Sequence, residues 1–252
     1  MKKIKIGWMF KDTLYLHGER GNILALDEIF KLNSMETEVV NIDFDNCDEI
    51  DFMEFDILFV APGDLSSIEV VSKKLRGKID ELNQYIDNNK LLIVTGNSIA
   101  LFGNEIIRTD GYRYMGLGII DVKTVEKKMV YGDDILFKEK LTDSEIIGNQ
   151  IQVSDFIGGN VDCYGKMTYG YGNTGEDENE GFLKNNAIFT NTLGPMLAVN
   201  MEYTVKLINK ALNLELKLVE DETLLEIDRI SFDIKKKFIL DKETNLRNIK
   251  EN

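Results

Sequence analysis

Histidine is nearly missing from this chain of 252 residues: His17 stands alone, and Cys47 and Cys163 are the only two cysteines. The cysteines are far apart and in no paired-ligand spacing, which argues against a zinc site of Cys/His type, and no metal or cofactor is expected. Two scattered cysteines fit a reducing compartment, so a cytoplasmic location is expected. Apolar runs also stay short of the ~20 residues needed to span a bilayer. Met1-Lys2-Lys3 followed by Ile4 to Phe10 opens like a signal peptide. Lys5 interrupts its apolar part and no small-residue cleavage site follows, so the stretch reads as a first strand. There is no internal repeat and no linker rich in Pro, Gly or Ser, and one domain over 1–252 is the simplest organisation. Positive charge is in deficit, with 30 Lys and Arg against 44 Asp and Glu, a formal net charge of −14. Like charge repels a nucleic-acid backbone and an anionic membrane, so neither is an expected partner.

What the chain does have is alternation of apolar runs and helical periods. Lys3 to Phe10, Glu38 to Phe44, Phe55 to Ala61 and Leu91 to Val94 read as strands. Gly21 to Asn33 reads as a helix with Ile23, Leu24, Ile29, Phe30 and Leu32 on one face. A long helix to Asn88 follows Ser66 or Ser67 as cap, with Ile68, Val71, Leu75, Ile79, Leu82 and Ile86 stepping by three and four. Strands and helices in turn at this spacing predict an α/β fold, a three-layer and mostly parallel sheet flanked by helices. From Tyr112 to Thr192 short strands and glycines predominate, which predicts antiparallel hairpins added to that sheet. Helices return at Met196–Leu212 and at about Thr223–Phe238.

In parallel sheets ligands lie beyond the carboxyl ends of the strands. The loops there are Phe10–Asn22, Ala61–Ser67 and Thr95–Ser98. The last is the focal one: Leu91-Leu92-Ile93-Val94 runs into Thr95-Gly96-Asn97-Ser98 and then a short apolar helix. Such a strand–turn–helix elbow exposes a nucleophile in many α/β enzymes, but this one carries no cysteine. Leu16-His17-Gly18-Glu19-Arg20-Gly21-Asn22-Ile23 sets charge and two glycines before a helix. Its amides suit a carboxylate or phosphate, or it is an ordinary capped loop. Tyr169-Gly170-Tyr171-Gly172-Asn173-Thr174-Gly175-Glu176 reads as a hairpin tip, its spacing unlike a calcium loop.

Four segments together resemble the class I glutamine amidotransferases of the CobB/CobQ-like branch, nearest to the glutaminase subunit of bacterial lipid II isoglutaminyl synthase. The family's L-Y-G-D-R-G-N-I appears as Leu16 to Ile23, and its G-L-G-I-x-D-V-x-T as Gly116-Leu117-Gly118-Ile119-Ile120-Asp121-Val122-Lys123-Thr124. Its G-x-G-N-N-G with a following E-G appears as Gly170 to Gly175 with Glu180-Gly181. Its T-Y-L-H-G-P-L-L-P-K-N appears as Thr190-Asn191-Thr192-Leu193-Gly194-Pro195-Met196-Leu197-Ala198-Val199-Asn200. The matches span about 4–212 in register, leaving a helical extension at about 213–252.

The resemblance implies a Cys–His pair that this chain lacks. The family's elbow, I-C-G-G-Y-Q-L-L-G, sets its cysteine on Gly96 or, by the strand end, on Thr95. The family's histidine falls on Leu193. A thiolate must be generated and leaving ammonia protonated, and neither glycine nor leucine does so. Ala61-Pro62-Gly63-Asp64 departs from the family's oxyanion loop G-G-G-Q, and Pro62 has no N–H to donate. The first reading is an amidotransferase-like protein without glutaminase activity, kept to bind a Mur-ligase-like synthetase subunit or a small amide or amino-acid ligand. Gly18, Arg20, Asn22, Gly63, Asn97, Ser98 and Asn173 are then its candidate binding residues. The second reading is an enzyme of altered chemistry that uses Ser98 or Thr95.

Overall fold

The computed structural model describes residues 3–218 and 222–250, with side chains as far as 244. Residues 1, 2, 219–221, 251 and 252, which the expected domain and its C-terminal extension include, lie outside the described residues. In chain order the first half holds β1 (Ile4–Met9), α1 (Arg20–Leu32), β2 (Thr37–Ile42), β3 (Ile57–Val60), α2 (Leu65–Leu75), α3 (Ile79–Asp87), β4 (Leu91–Thr95) and α4 (Ile99–Phe102). The second half holds β5 (Glu105–Ile107), β6 (Arg113–Met115), β7 (Val122–Glu139), β8 (Glu145–Gly158), β9 (Gly165–Tyr169), β10 (Asn179–Glu180), β11 (Phe182–Lys184), β12 (Ala187–Thr190), α5 (Met196–Val199), α6 (Met201–Leu212) and α7 (Glu222–Lys250).

The expected three-layer α/β architecture is present. One sheet runs β11-β12-β4-β3-β1-β2, parallel throughout except for the edge strand β11. Its central strands are apolar on both faces because both faces are covered. Ile57, Phe59, Leu91 and Ile93 pack with Leu26, Ile29 and Phe30 of α1 and Leu207 and Ile208 of α6. Leu58, Val60, Leu92 and Val94 pack with Ile68 and Val71 of α2 and Leu82 and Tyr85 of α3.

Several details differ from the sequence expectation. The glycine-rich half forms a second sheet, β10-β9-β7-β5-β6 with β8 on β7, before β12 returns to the first sheet beside β4. The long helix to Asn88 breaks into α2 and α3 at a tight turn, Arg76–Lys78, centred on Gly77, the weakest helix former there. Its cap is Asp64, whose carboxylate accepts from Ser66 N at 2.9 Å and Ser67 N at 3.1 Å. Leu24 and Leu32 face outward from α1. The helix expected over Met196–Leu212 is interrupted at Asn200, whose side chain bonds both backbone groups of Ile147. Finally, α7 runs well beyond Phe238, to Lys250. No helix among the described residues is long and apolar enough to cross a membrane.

Candidate functional site

Four neighbouring parallel strands, in the order β12-β4-β3-β1, end on one side of the sheet, so the loops after them converge. The elbow follows β4. Thr95 is extended (φ −115°, ψ 146°) and belongs to the strand. Gly96 turns the chain with φ +58°, a left-handed conformation that costs a residue with a β-carbon. Of the two alternatives for the family's cysteine, Gly96 is the one at the bend.

That bend is closed. A β-carbon on Gly96 would lie 2.8 Å from Pro62 Cβ and 2.9 Å from Leu193 Cδ2. Leu193 is 2% exposed and its backbone is clamped to β8, accepting from Asn149 N at 3.2 Å and donating to Asn149 O at 2.7 Å. Leu14, itself buried, covers the backbone of Gly63, and Leu16 N donates to Pro62 O at 3.0 Å. The space for a reacting side chain on Gly96 is therefore occupied by two apolar groups, Pro62 and Leu193.

The segment Gly116 to Thr124 closes the elbow helix from behind. Leu117 N, Gly118 N, Ile119 N and Ile120 N donate to the carbonyls of Leu101, Gly103, Phe102 and Phe102, the acceptors that a helix end leaves unmatched. A β-carbon on Gly116 would stand 2.3 Å from Gly103 O, so only glycine allows this approach.

The residues expected to bind a ligand do not face one space. Gly18 and Arg20 are exposed at the start of α1. Asn22 is fully buried: its amide donates to Glu19 Oε2 at 2.6 Å and its carbonyl oxygen accepts from Leu197 N at 2.8 Å. Ser98 is fully buried and donates to Ala61 O at 2.7 Å. Thr95, also buried, donates to Val60 O at 3.4 Å. Neither hydroxyl has a histidine beside it, since His17 lies exposed in the loop before α1. Asn173 accepts from Gly181 N at 2.8 Å and Asn191 Nδ2 at 2.9 Å, pinning the glycine-rich turn to the end of β12. Asn97 alone of the elbow is half-buried. Cys47 lies in the core, where burial pushes its thiol up to about 11.

Two carboxyls at the site escaped the sequence reading. Glu19 is 1% exposed and accepts from Gly194 N at 2.9 Å as well as from Asn22. Burial pushes its carboxyl up to about 7, against the hydrogen bonds of Gly194, Asn22 and Thr95. Glu180 is fully buried. Its Oε1 accepts from Thr190 Oγ1 at 2.8 Å and Asn191 N at 2.6 Å, while its Oε2 has no partner. Burial pushes it up to about 8, so at neutral pH it is mostly the neutral acid. Among the described residues no group of three His, Cys, Asp or Glu is placed to hold a metal.

Comparison with known proteins agrees with the motifs. The chain is 27% identical over 241 residues to the GatD subunit of lipid II isoglutaminyl synthase (glutamine-hydrolyzing) from Staphylococcus aureus, covering 92% of this chain and 96% of that one. It is 24% identical over 245 residues to the corresponding GatD subunit of Streptococcus pneumoniae, covering 93% of each. Among solved structures, a glutamine amidotransferase from Thermotoga maritima is 10% identical with a TM-score of 0.49, over 94% of this chain and 95% of that one. No family model matches the chain. The similarity to the GatD subunits of lipid II isoglutaminyl synthase therefore runs nearly end to end.

Proposed function

We propose that this relative of the GatD subunits is a glutamine amidotransferase-like subunit of cell-wall precursor amidation that no longer hydrolyses glutamine. Its role is to bind a Mur-ligase-like synthetase partner. One observation carries the reading: Pro62 and Leu193 fill the place where a nucleophile on Gly96 would have to stand. Supporting it, the two hydroxyls nearest that place, Thr95 and Ser98, are buried and committed to main-chain carbonyls. The histidine position, which in the family supplies a base, holds Leu193.

The exposed start of α1, with Gly18 and Arg20, and the half-buried Asn97 remain the positions from which a partner or a small amide would be contacted.

The test is to purify the chain with a Mur-ligase-like synthetase from the same source and to follow two products. With glutamine as nitrogen donor, glutamate release stays at background. With ammonium supplied, the complex amidates its precursor, and leaving out this chain reduces that rate. Glutamate release that disappears in Ser98→Ala would overturn the reading, and so would failure to associate with the synthetase.

A further inference from the structure

The last part of the chain is fixed to the body at two places, and α7 crosses a cleft between them. The first fixing precedes the helix: the Asn209 side chain bonds the backbone N–H and C=O of Leu216, and the Asn33 side chain bonds those of Lys217. The second lies within it. Lys235 bonds Asp134, Lys236 bonds Glu145, and Lys242 bonds Asp133 and Asp134, the last two at 2.7 Å. Between the fixings Asp228, Arg229, Phe232 and Asp233 of α7, with Glu202 and Lys206 of α6, line a cleft of about 590 Å³.

The second fixing is mainly ionic. Ile239 is fully buried, with Phe232 and Leu240 partly buried beside it, against Leu136, Ile147 and Tyr169 of the second sheet. Leu224, Ile227, Ile230, Ile234 and Phe238 are between 48% and 65% exposed, so most of the helix's apolar area does little to hold it down. The lysines carry the attachment instead. Asp134 is 6% exposed, and the cations paired with it, Lys235 and Lys242, both belong to α7. A carboxylate buried that far is costly without a cation. The side chains of Lys235, Lys236 and Lys242 are themselves between 30% and 37% exposed, where dissolved salt screens the pairs. One contact opposes them: Asp228 faces Glu202 in the cleft, and burial followed by that like charge pushes its carboxyl up. We infer that α7 is a strap across this cleft, latched by Lys235, Lys236 and Lys242 at low ionic strength and released as salt screens the latch. The latch touches neither Gly96 nor the start of α1, so the strap and the proposed synthetase role stand or fall separately.

The experiment follows amide hydrogen exchange of the full chain at about 0.1 M and about 1 M NaCl, over which the screening length falls from about 10 Å to about 3 Å. A helix off its support is marginal in water and exchanges fast, so peptides from 232–244 report the latch. Their exchange is expected to speed up roughly tenfold at the higher salt, the combined effect of several exposed pairs. Peptides from β3 and β4 stay unchanged in the same samples. At the lower salt Lys236→Glu speeds the exchange of 232–244, and adding Glu145→Lys in the same chain slows it again by remaking the pair with its charges exchanged. Asp228→Asn, which removes the opposing charge, slows it below the parent. Three results would each overturn the inference: protection of 232–244 that ignores salt, no protection even at the lower salt, or a Lys236→Glu, Glu145→Lys chain that exchanges as fast as Lys236→Glu alone.

Discussion

Leu193 packs directly against the elbow at Gly96, its Cδ2 standing 2.9 Å from where a β-carbon on that glycine would lie. Position 96 has no side chain there, and Leu193 fills the gap. Position 193 is also held in place through its backbone, by Asn149 of β8.

Gly96→Ala should be strongly destabilising. A left-handed residue with a β-carbon costs about 1–2 kcal/mol and overpacking adds about 1–3 kcal/mol. Denaturant unfolding of the variant would measure the sum, and a loss below the left-handed penalty would mean that Pro62 and Leu193 yield easily.

Restoring the pair should not by itself restore hydrolysis. In Gly96→Cys with Leu193→His, Pro62 Cβ still lies 2.8 Å from the new β-carbon, and residue 62 still has no N–H to offer an oxyanion. Glutamate release is expected at background in this double variant and above background once Pro62→Gly is added. Activity in the double variant would show that Pro62 does not close the slot.

Stability should fall as pH rises through neutrality. Glu180 is raised from its ordinary value near 4.5 to about 8, so the folded chain holds a proton that the unfolded chain has released. Its contribution is full below pH 4.5 and lost as pH rises to about 8, and Glu19 acts alike up to about 7. Glu180→Gln mimics the neutral acid and sends its extra N–H to the side where Oε2 has no partner. Melting temperatures at pH 5 and pH 8.5 should differ less in Glu180→Gln than in the parent. An unchanged difference would assign the pH dependence elsewhere.

The cap of α2 gives a local check. Asp64→Ala should cost about 0.5–2 kcal/mol, the usual loss for an N-cap. Ser66→Ala should change little, because Ser66 offers the helix only its backbone N–H. Chemical denaturation of the two variants side by side decides which residue caps the helix.

The layered fold was legible because β3 and β4 are unbroken apolar runs and the helices between strands keep their period. Helix breaks were less so: Gly77 was visible, but Asn200 is diverted by Ile147, a residue 53 positions away. Motif order placed the elbow, yet Thr95 and Gly96 stayed equivalent until the backbone put the bend at Gly96. Asn22, Ser98 and Asn173 looked like binding residues because they are polar and sit in motif loops. All three spend their hydrogen bonds inside the protein, and only distant partners such as Leu197, Ala61 and Asn191 reveal it. Glu19 went unread for the same reason, since its acceptor role is defined by Gly194, on the far side of the sequence.

The Glu19 carboxyl holds together the start of α1 and the turn after β12, through Asn22 and Gly194. None of those bonds passes through the side chain of residue 193 or through anything on Gly96. The alignment of these loops is therefore set from outside the elbow, like a vice whose jaws are held by their own screw. A side chain exchanged at 96 or 193 would meet that fixed frame, with Pro62 in it, rather than reshape it.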